Sequence, residues 1–207
     1  HGYAQQNSFT TLSSPPGLVA DTAAHSLYPP ESLVTFELSG APGRATSACG
    51  LGIYRDSLLG AEFTDDAFTC EPVHQSVHRI NLSRNGHGFT GMRGAGEESM
   101  EFLSSTDRWF RPVQTRTGPD GALWVVDMYR YVIEHSRWIP QSTLPELDVF
   151  AGKRRGRIYR VVPKQSSEGP KPAVKQDLIP VLSGLPENAL AEQLDSANGT
   201  IRDLAHQ

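Results

Sequence analysis

The chain has 207 residues, of which 38% are hydrophobic and 20% charged, and its formal net charge is −4. This length suits one or two domains of roughly 100–200 residues each. The mildly acidic balance argues against a nucleic-acid partner, because neutralising phosphates needs a clustered excess of lysine and arginine. No apolar run of about eighteen residues occurs, so the sequence predicts no membrane-spanning helix.

The composition and pattern of the sequence change near residue 45. Residues 1–45 are rich in serine, proline, glycine and threonine, as in the Tyr28, Pro29 and Pro30 run, and we expect them to be rich in loops. From Cys49 onward, short β-type runs alternate with turns, a pattern typical of an all-β sandwich or propeller. We expect seven strands, at residues 51–54, 67–70, 76–82, 88–93, 113–117, 122–127 and 157–162. The long connection before the last strand is of a length that is usually functional.

Only two cysteines occur, Cys49 and Cys70, each in or beside a predicted strand. They are too few for a structural zinc site, which needs four ligands. A disulfide is expected if the protein is exported, and two buried thiols are the alternative.

A turn of the sequence Gly-Pro-Asp-Gly joins the predicted strands 113–117 and 122–127. Pro119 presets its own φ, Asp120 can bond the nearby backbone, and Gly121 tolerates a positive φ, so the turn predicts a β-hairpin. The second strand contains a continuous apolar run, which predicts burial on both faces. Such hairpins are the repeating unit of propeller blades.

The C-terminal part differs in composition. Residues 164–176 have the proline, serine, glycine and lysine content of a linker. Helical spacing of apolar residues then predicts helices at 186–194 and 199–207, and two short helices in succession indicate the first unit of an α-helical repeat. The chain starts without methionine at His1 and stops at Gln207 within a predicted helix, so we expect it to be a piece of a longer protein.

Three runs carry a resemblance to a known family: SACGLGIYRDSLLGAEFTDDAFTCEPVHQSVHRINL at 47–82, EFLSSTDRWFRPVQTRTGPDGALWVVDMYRYVIEH at 101–135 and GRIYRV at 156–161. Together they resemble the membrane-bound dehydrogenase family of Planctomycetes and Verrucomicrobia. The resemblance implies a mainly β fold: the C-terminal part of a β-propeller, about two to three blades, at 1–163. A linker at 164–176 and the start of a HEAT-like helical repeat at 177–207 would follow it.

The resemblance also implies a function. Its members are large secreted or periplasmic proteins whose propeller is similar to that of soluble quinoprotein glucose dehydrogenase. We therefore expect a sugar or alcohol dehydrogenase that uses pyrroloquinoline quinone with calcium and passes electrons to a cytochrome c domain or protein, with haem c outside this chain. The alternative is a non-catalytic propeller that binds glycans or proteins.

Two arginines are the expected cofactor-binding residues. In quinoprotein propellers, basic side chains on the last blades hold the cofactor carboxylates, and the resemblance places Arg111 and Arg108 in this role. A planar guanidinium can grip a carboxylate with two parallel hydrogen bonds. The other expected cofactor segment, 71–75, contains no lysine. In the structural alternative, Arg111 holds a loop carbonyl while Trp109 and Phe110 fill the core.

His74 is the expected general base and Asp127 the third cofactor-binding residue. His74 and His78 are four residues apart, about 13 Å along a regular strand, so we expect no shared metal ion. Imidazole titrates near neutral pH, and His74 lies at a strand end that can face substrate, whereas His78, within its strand, is expected to bond a neighbour. Asp127 follows four apolar residues and needs a hydrogen-bond partner, which Arg111 can supply either as a ligand clamp or as a buried brace.

Overall fold

The computed structural model describes residues 26–29, 45–164 and 181–207. Within these residues the protein is mainly β, with two antiparallel sheets and two short α-helices. The strands are β1 (Cys49–Ile53), β2 (Ala67–Glu71), β3 (Ser76–Asn85), β4 (Gly88–Met92), β5 (Leu103–Ser104), β6 (Pro112–Thr117), β7 (Leu123–Asp127) and β8 (Arg157–Val161), and the helices are α1 (Glu187–Gln193) and α2 (Gly199–His206). Most of the expected loop-rich segment 1–45 and of the linker 164–176 lies outside the described residues.

The seven predicted strands and both predicted helices are confirmed, with small shifts at their ends. Sequence analysis missed β5, because two residues are too short to show a periodic pattern. The predicted long connection is also confirmed, since residues 128–156 contain only two short 3-10 turns, Ser136–Trp138 and Leu144–Glu146, besides irregular structure.

The first sheet has the order β1-β2-β3-β4. Strand β3 is long enough to serve two partners: its first half pairs with β2, from Ser76 opposite Glu71, and its second half pairs with β4, up to Asn85 opposite Gly88. Strand β5 pairs with the start of β3. The second sheet has the order β6-β7-β8 and is antiparallel throughout.

The Gly-Pro-Asp-Gly turn forms the predicted hairpin between β6 and β7. Gly121 has a φ of +81°, which glycine adopts without strain. Asp120 Oδ1 accepts hydrogen bonds from the Ala122 amide at 3.2 Å and the Trp124 indole N–H at 3.1 Å. The roles assigned to Asp120 and Gly121 from the sequence are therefore confirmed.

The prediction that β7 is buried on both faces is wrong. Burial alternates along the strand: Leu123, Val125 and Asp127 are buried, whereas Trp124 and Val126 are only partly covered. The inner face packs on the first sheet, while the outer face shares a row with Ile158 of β8, which is 63% exposed. An unbroken apolar run cannot show which neighbouring element covers each face.

The two sheets meet through glycine. A Cβ on Gly50, whose φ is +60°, would lie 2.2 Å from the Val113 carbonyl oxygen, and one on Gly52 would lie 2.7 Å from Thr115. Backbone therefore approaches backbone between β1 and β6, and only glycine allows this distance. The core beside this contact is formed by residues from both sheets, namely Tyr54, Phe68, Cys70, Val77, Leu123 and Val125.

The helical part docks on the β part at the hairpin turn. Asn198 caps α2, with its Oδ1 accepting from the Thr200 and Ile201 amides, and its Nδ2 donates to the Gly118 carbonyl at 2.7 Å. Arg55 forms an ion pair with Asp203 of α2 at 2.6 Å. Among the described residues, no helix has the length and apolar character needed to cross a membrane.

Candidate functional site

The fold brings three of the four predicted site residues to one corner of the two sheets. His74 lies in the turn 72–75 between β2 and β3, where Glu71 and Ser76 are paired. Arg111 directly precedes β6, and Asp127 ends β7 opposite Pro112. Arg108 is exposed in the turn before Arg111 and takes no part in the hydrogen bonds described below.

The Arg111 guanidinium is buried and held by main-chain carbonyls. Its Nη1 donates to Pro72 at 2.8 Å and to Val73 at 3.3 Å, its Nε to Arg130 at 2.9 Å and its Nη2 to Tyr131 at 2.9 Å. Burial lowers the pKa of the guanidinium, and the nearby Glu134 charge partly offsets this shift. Arg111 therefore ties the turn 72–75 to the loop that follows β7, as in the structural alternative.

Asp127 stabilises the same corner by accepting hydrogen bonds from main-chain amides. Its Oδ1 accepts hydrogen bonds from the main-chain amides of Arg111 at 2.8 Å and Tyr129 at 2.7 Å. These bonds fix the left-handed conformation of Tyr129, whose φ is +51°. Asp127 is thus bonded to the main-chain N–H of Arg111 rather than to its guanidinium. Its second oxygen, Oδ2, is buried and has no hydrogen-bond partner within the described part of the chain.

The His74 side chain contains a second buried polar atom that, like Oδ2 of Asp127, makes no hydrogen bond to the described residues. This side chain is 5% exposed, and Nδ1 has no hydrogen-bond partner among the residues that the structure describes. The nearest carboxylate oxygen, Glu71 Oε1, is 3.5 Å away. Glu71 is itself occupied in accepting the Ser47 amide at 2.9 Å and the Thr46 amide at 3.2 Å. A proton on Nδ1 of His74 would therefore face a fixed negative charge.

Aromatic rings lie beside this corner. Trp109 stacks on Tyr129 with ring centroids 5.7 Å apart and packs against Tyr131 at 5.7 Å. The Arg157 guanidinium covers the Tyr129 ring at 3.6 Å. Phe110 is buried, whereas Trp109 is only partly covered. Phe110 therefore fills the core, as the structural alternative expects, whereas Trp109 contributes to a partly exposed aromatic surface.

Sequence analysis missed the network around His78. His78 Nδ1 lies 2.8 Å from Glu101 Oε2, which confirms that this histidine bonds a neighbour. Arg93 reaches Glu101 at 3.1 Å, and the Tyr28 amide donates to the same carboxylate at 2.8 Å. Glu101 comes from a distant part of the sequence, so no local spacing signal reveals this pair. The network ties residues 26–29 to the first sheet.

The corner does not fit a clamp for a quinone carboxylate. Every hydrogen bond described for the Arg111 guanidinium ends on a carbonyl, and the segment 71–75 lacks a lysine. Among the described residues, no group of three or more histidine, cysteine, aspartate and glutamate side chains is placed to hold a metal ion. Among the described residues, the corner offers chemically the His74 Nδ1 and the Asp127 Oδ2 as buried atoms without a hydrogen-bond partner.

A search of curated proteins found no match. Among solved structures, the chain is similar to the apo form of the soluble aldose sugar dehydrogenase from Escherichia coli, with 25% sequence identity over 43% of this chain and 22% of that one. The chain thus spans about a fifth of that enzyme's length, and a TM-score of 0.29 does not establish a shared fold. The family model described as "Domain of unknown function (DUF7133)" matches residues 2–165, which is most of the chain. The chain therefore belongs to the DUF7133 family.

Proposed function

We propose that the chain forms part of a β-propeller in a sugar- or alcohol-oxidising dehydrogenase, with His74 as the general base. The observation that carries the proposal is the buried Nδ1 of His74, which has no hydrogen-bond partner among the described residues. Arg111 pins the two carbonyls that directly precede this histidine. An imidazole whose Nδ1 faces a carboxylate is oriented for proton abstraction by its other ring nitrogen, Nε2.

The chemistry assigned to His74 is limited to the proton. Oxidation of an alcohol to a carbonyl removes the hydroxyl proton and a hydride from the carbon. The imidazole takes the hydroxyl proton, and Glu71, whose Oε1 lies 3.5 Å from Nδ1, stabilises the imidazolium that forms. Among the described residues, His74 is the proton acceptor, and no residue is assigned as the hydride acceptor.

The cofactor part of the proposal rests on the sequence resemblance. The resemblance implies pyrroloquinoline quinone with calcium as the hydride acceptor and a cytochrome c domain or protein as the electron acceptor. Because the Arg111 guanidinium is taken up by carbonyls, residues other than Arg111 would have to hold the quinone. Arg111 and Asp127 then act as positioning residues, because their described bonds are internal to the corner. Arg108 is the predicted cofactor-binding residue whose side chain stays exposed, so it is the arginine we assign to contact an anionic group.

The same proposal covers domain organisation and location. Residues 1–163 form about two to three blades of a propeller, 164–176 a linker and 177–207 the start of a HEAT-like repeat in a periplasmic or secreted protein. The support is the pair of antiparallel sheets followed by α1 and α2. The docking of α2 on the hairpin through Asn198 and Asp203 indicates that the helical part holds a defined position on the β part.

A non-catalytic propeller that binds glycans is the second candidate. One specific observation favours it: the stacked Trp109 and Tyr129 rings form a partly exposed aromatic surface, and such surfaces line many small-molecule sites. This function needs no free imidazole, so the role of His74 separates the two candidates.

The test uses the full-length protein, supplied with pyrroloquinoline quinone and calcium, in dye-coupled oxidation of a panel of sugars and alcohols. The variant is His74→Gln, and the matched control is His87→Gln, in the exposed turn after β3. We expect kcat to fall by a factor on the order of 100 to 10,000 in His74→Gln and to stay unchanged in the control. Equal activity of the two variants, or no oxidation by the wild type, would overturn the proposal, and glycan binding by the inactive wild type would establish the second candidate.

A further inference from the structure

The two cysteines of the chain lie opposite each other on neighbouring strands. Cys49 of β1 and Cys70 of β2 are register partners in the first sheet, and both are free thiols in the structure. Residues directly opposite in an antiparallel pair have Cα atoms about 4.5–5.5 Å apart and side chains on the same face. A disulfide needs Cα atoms about 4.4–6.8 Å apart, so the register itself meets the geometric requirement.

We propose that Cys49 and Cys70 are oxidised to a cross-strand disulfide in the mature protein. The bond goes beyond the proposed dehydrogenase chemistry and would form whether or not the propeller oxidises a substrate, but it rests on the proposed export to an oxidising compartment. Both side chains belong to one packed cluster, with Cys70 fully buried beside Phe68 and Val77 and Cys49 against its edge. Burial would protect the bond from small reductants once it has formed.

The reaction requires an external disulfide oxidant, either a dithiol–disulfide oxidoreductase or a small-molecule disulfide such as oxidised glutathione. The Cys49 thiolate attacks one sulfur of the oxidant and releases the other as a thiolate. The Cys70 thiolate then attacks the sulfur of Cys49 and releases the second thiol of the oxidant. Two electrons and two protons leave the cysteine pair, and the oxidant becomes two thiols.

The thiol chemistry indicates when the bond forms. Burial raises the pKa of the Cys70 thiol to about 12, and the neighbouring Cys49 adds to the shift. The Cys49 pKa is raised as well, by burial and by the charge of Glu71. Because the thiolate is the attacking species, exchange in the folded protein is slow at neutral pH. Oxidation therefore belongs to the period of folding, when both thiols are still exposed.

The bond would secure the strand that joins the two sheets. Among the described strands, β1 pairs with β2 alone in the first sheet, and its register is irregular just after Cys49. The next residue, Gly50, makes the close approach to Val113 of the second sheet. A covalent link at Cys49 holds β1 in place at the point where the backbone contact begins.

The proposal is tested by thiol mapping of the full-length protein produced with export to an oxidising compartment. The protein is denatured in an alkylating reagent without reductant, digested, and analysed by mass spectrometry. We expect a linked pair of peptides that contain Cys49 and Cys70, converted to two alkylated peptides after reduction. Recovery of both peptides alkylated without reductant would overturn the proposal.

Variants give a second and separate readout. Reduction opens the loop between Cys49 and Cys70, and we expect this to shift the equilibrium roughly hundredfold toward the unfolded state. The wild-type melting temperature should therefore fall by several degrees on reduction. The Cys49→Ser/Cys70→Ala variant should melt at one temperature with or without reductant. A wild-type melting temperature that does not respond to verified reduction of the pair would contradict a stabilising bond. The mapping on wild-type protein decides the question even if the variant does not fold.

Discussion

Two buried arginines show how differently the two regions of the molecule use a positive charge. Inside the first sheet, Arg79 contacts two carboxylates, Asp66 at 2.6 Å and Glu97 at 2.9 Å. At the corner between the sheets, the Arg111 guanidinium instead bonds carbonyl oxygens on both sides of it. The first arrangement neutralises two carboxylates and adds one bond to the Glu62 carbonyl at 2.7 Å, whereas every bond of the second goes to main chain.

The difference matters for function because of what each arginine holds. Arg79 connects residues of the core and its rim, and its ring contact with Phe63, at 3.9 Å, belongs to the same packing. Arg111 connects two turns, 72–75 and the loop after β7, and one of these turns carries His74. A cation held by carbonyl dipoles fixes both turns without placing a second carboxylate, besides that of Glu71, next to Nδ1 of His74.

Removal of the first arginine should have the largest effect. Arg79→Met leaves Asp66 buried without its charged partner, and we expect the free energy of unfolding to fall by about 3–5 kcal/mol. Denaturant unfolding of the full-length protein, followed by tryptophan fluorescence, measures this. Asp66→Asn in the Arg79→Met background should restore part of the loss, because it removes the unpaired charge. A loss below about 1 kcal/mol in the single variant would show that the pair is not buried in solution.

Arg111→Met should destabilise less. The carbonyls it releases are dipoles rather than charges, and some can turn to water, so we expect a loss of about 2 kcal/mol. The same unfolding experiment applies, with Arg108→Met as the control, since the exposed Arg108 should change the free energy by less than about 0.5 kcal/mol. Equal effects of Arg108→Met and Arg111→Met would remove the distinction between the two arginines.

Tyr54 joins the two regions and should titrate abnormally. Its hydroxyl donates to the Gly121 carbonyl at 2.6 Å, and burial raises the pKa of Tyr54 to about 12 from its ordinary value of 10.0. Its stabilising contribution is fully present below pH 10.0 and is lost as pH rises from there to about 12. Ultraviolet absorbance titration should show one late phenolate step that is absent in Tyr54→Phe. Titration of all tyrosines near the ordinary value would contradict the burial of this hydroxyl.

The smallest expected effects concern the contact between the helical part and the hairpin. Asn198→Asp keeps the acceptor that caps α2 but loses the donor to the Gly118 carbonyl, whereas Asn198→Ala loses both. We expect a loss of about 1 kcal/mol for Asp and about 2 kcal/mol for Ala. Hydrogen–deuterium exchange in 199–206 follows the helix directly. Wild-type exchange in Asn198→Asp would show that the donor to Gly118 contributes nothing, and equal exchange in the two variants would show the same of the capping acceptor.

Much of the fold was predictable because its signals are local. The Asp120 and Gly121 turn and the alternation of short β-type runs identify strands without any tertiary information. The partners of Arg111 were not predictable, because main-chain carbonyls carry no sequence signature. The His78–Glu101 pair joins distant parts of the chain, so only the folded sheet reveals it. The outer face of β7 was misjudged because an apolar run does not show what covers it.

Arg111 is the residue that holds both turns in place. Hydrogen–deuterium exchange of the full-length protein, compared among wild type, Arg111→Met and Arg108→Met, tests this without knowledge of the substrate. We predict faster exchange at both 72–76 and 128–132 in Arg111→Met only, with the strands β2, β3, β6 and β7 unchanged. Wild-type exchange at both turns in Arg111→Met would contradict the account, since the turn that carries His74 would then be held by other contacts.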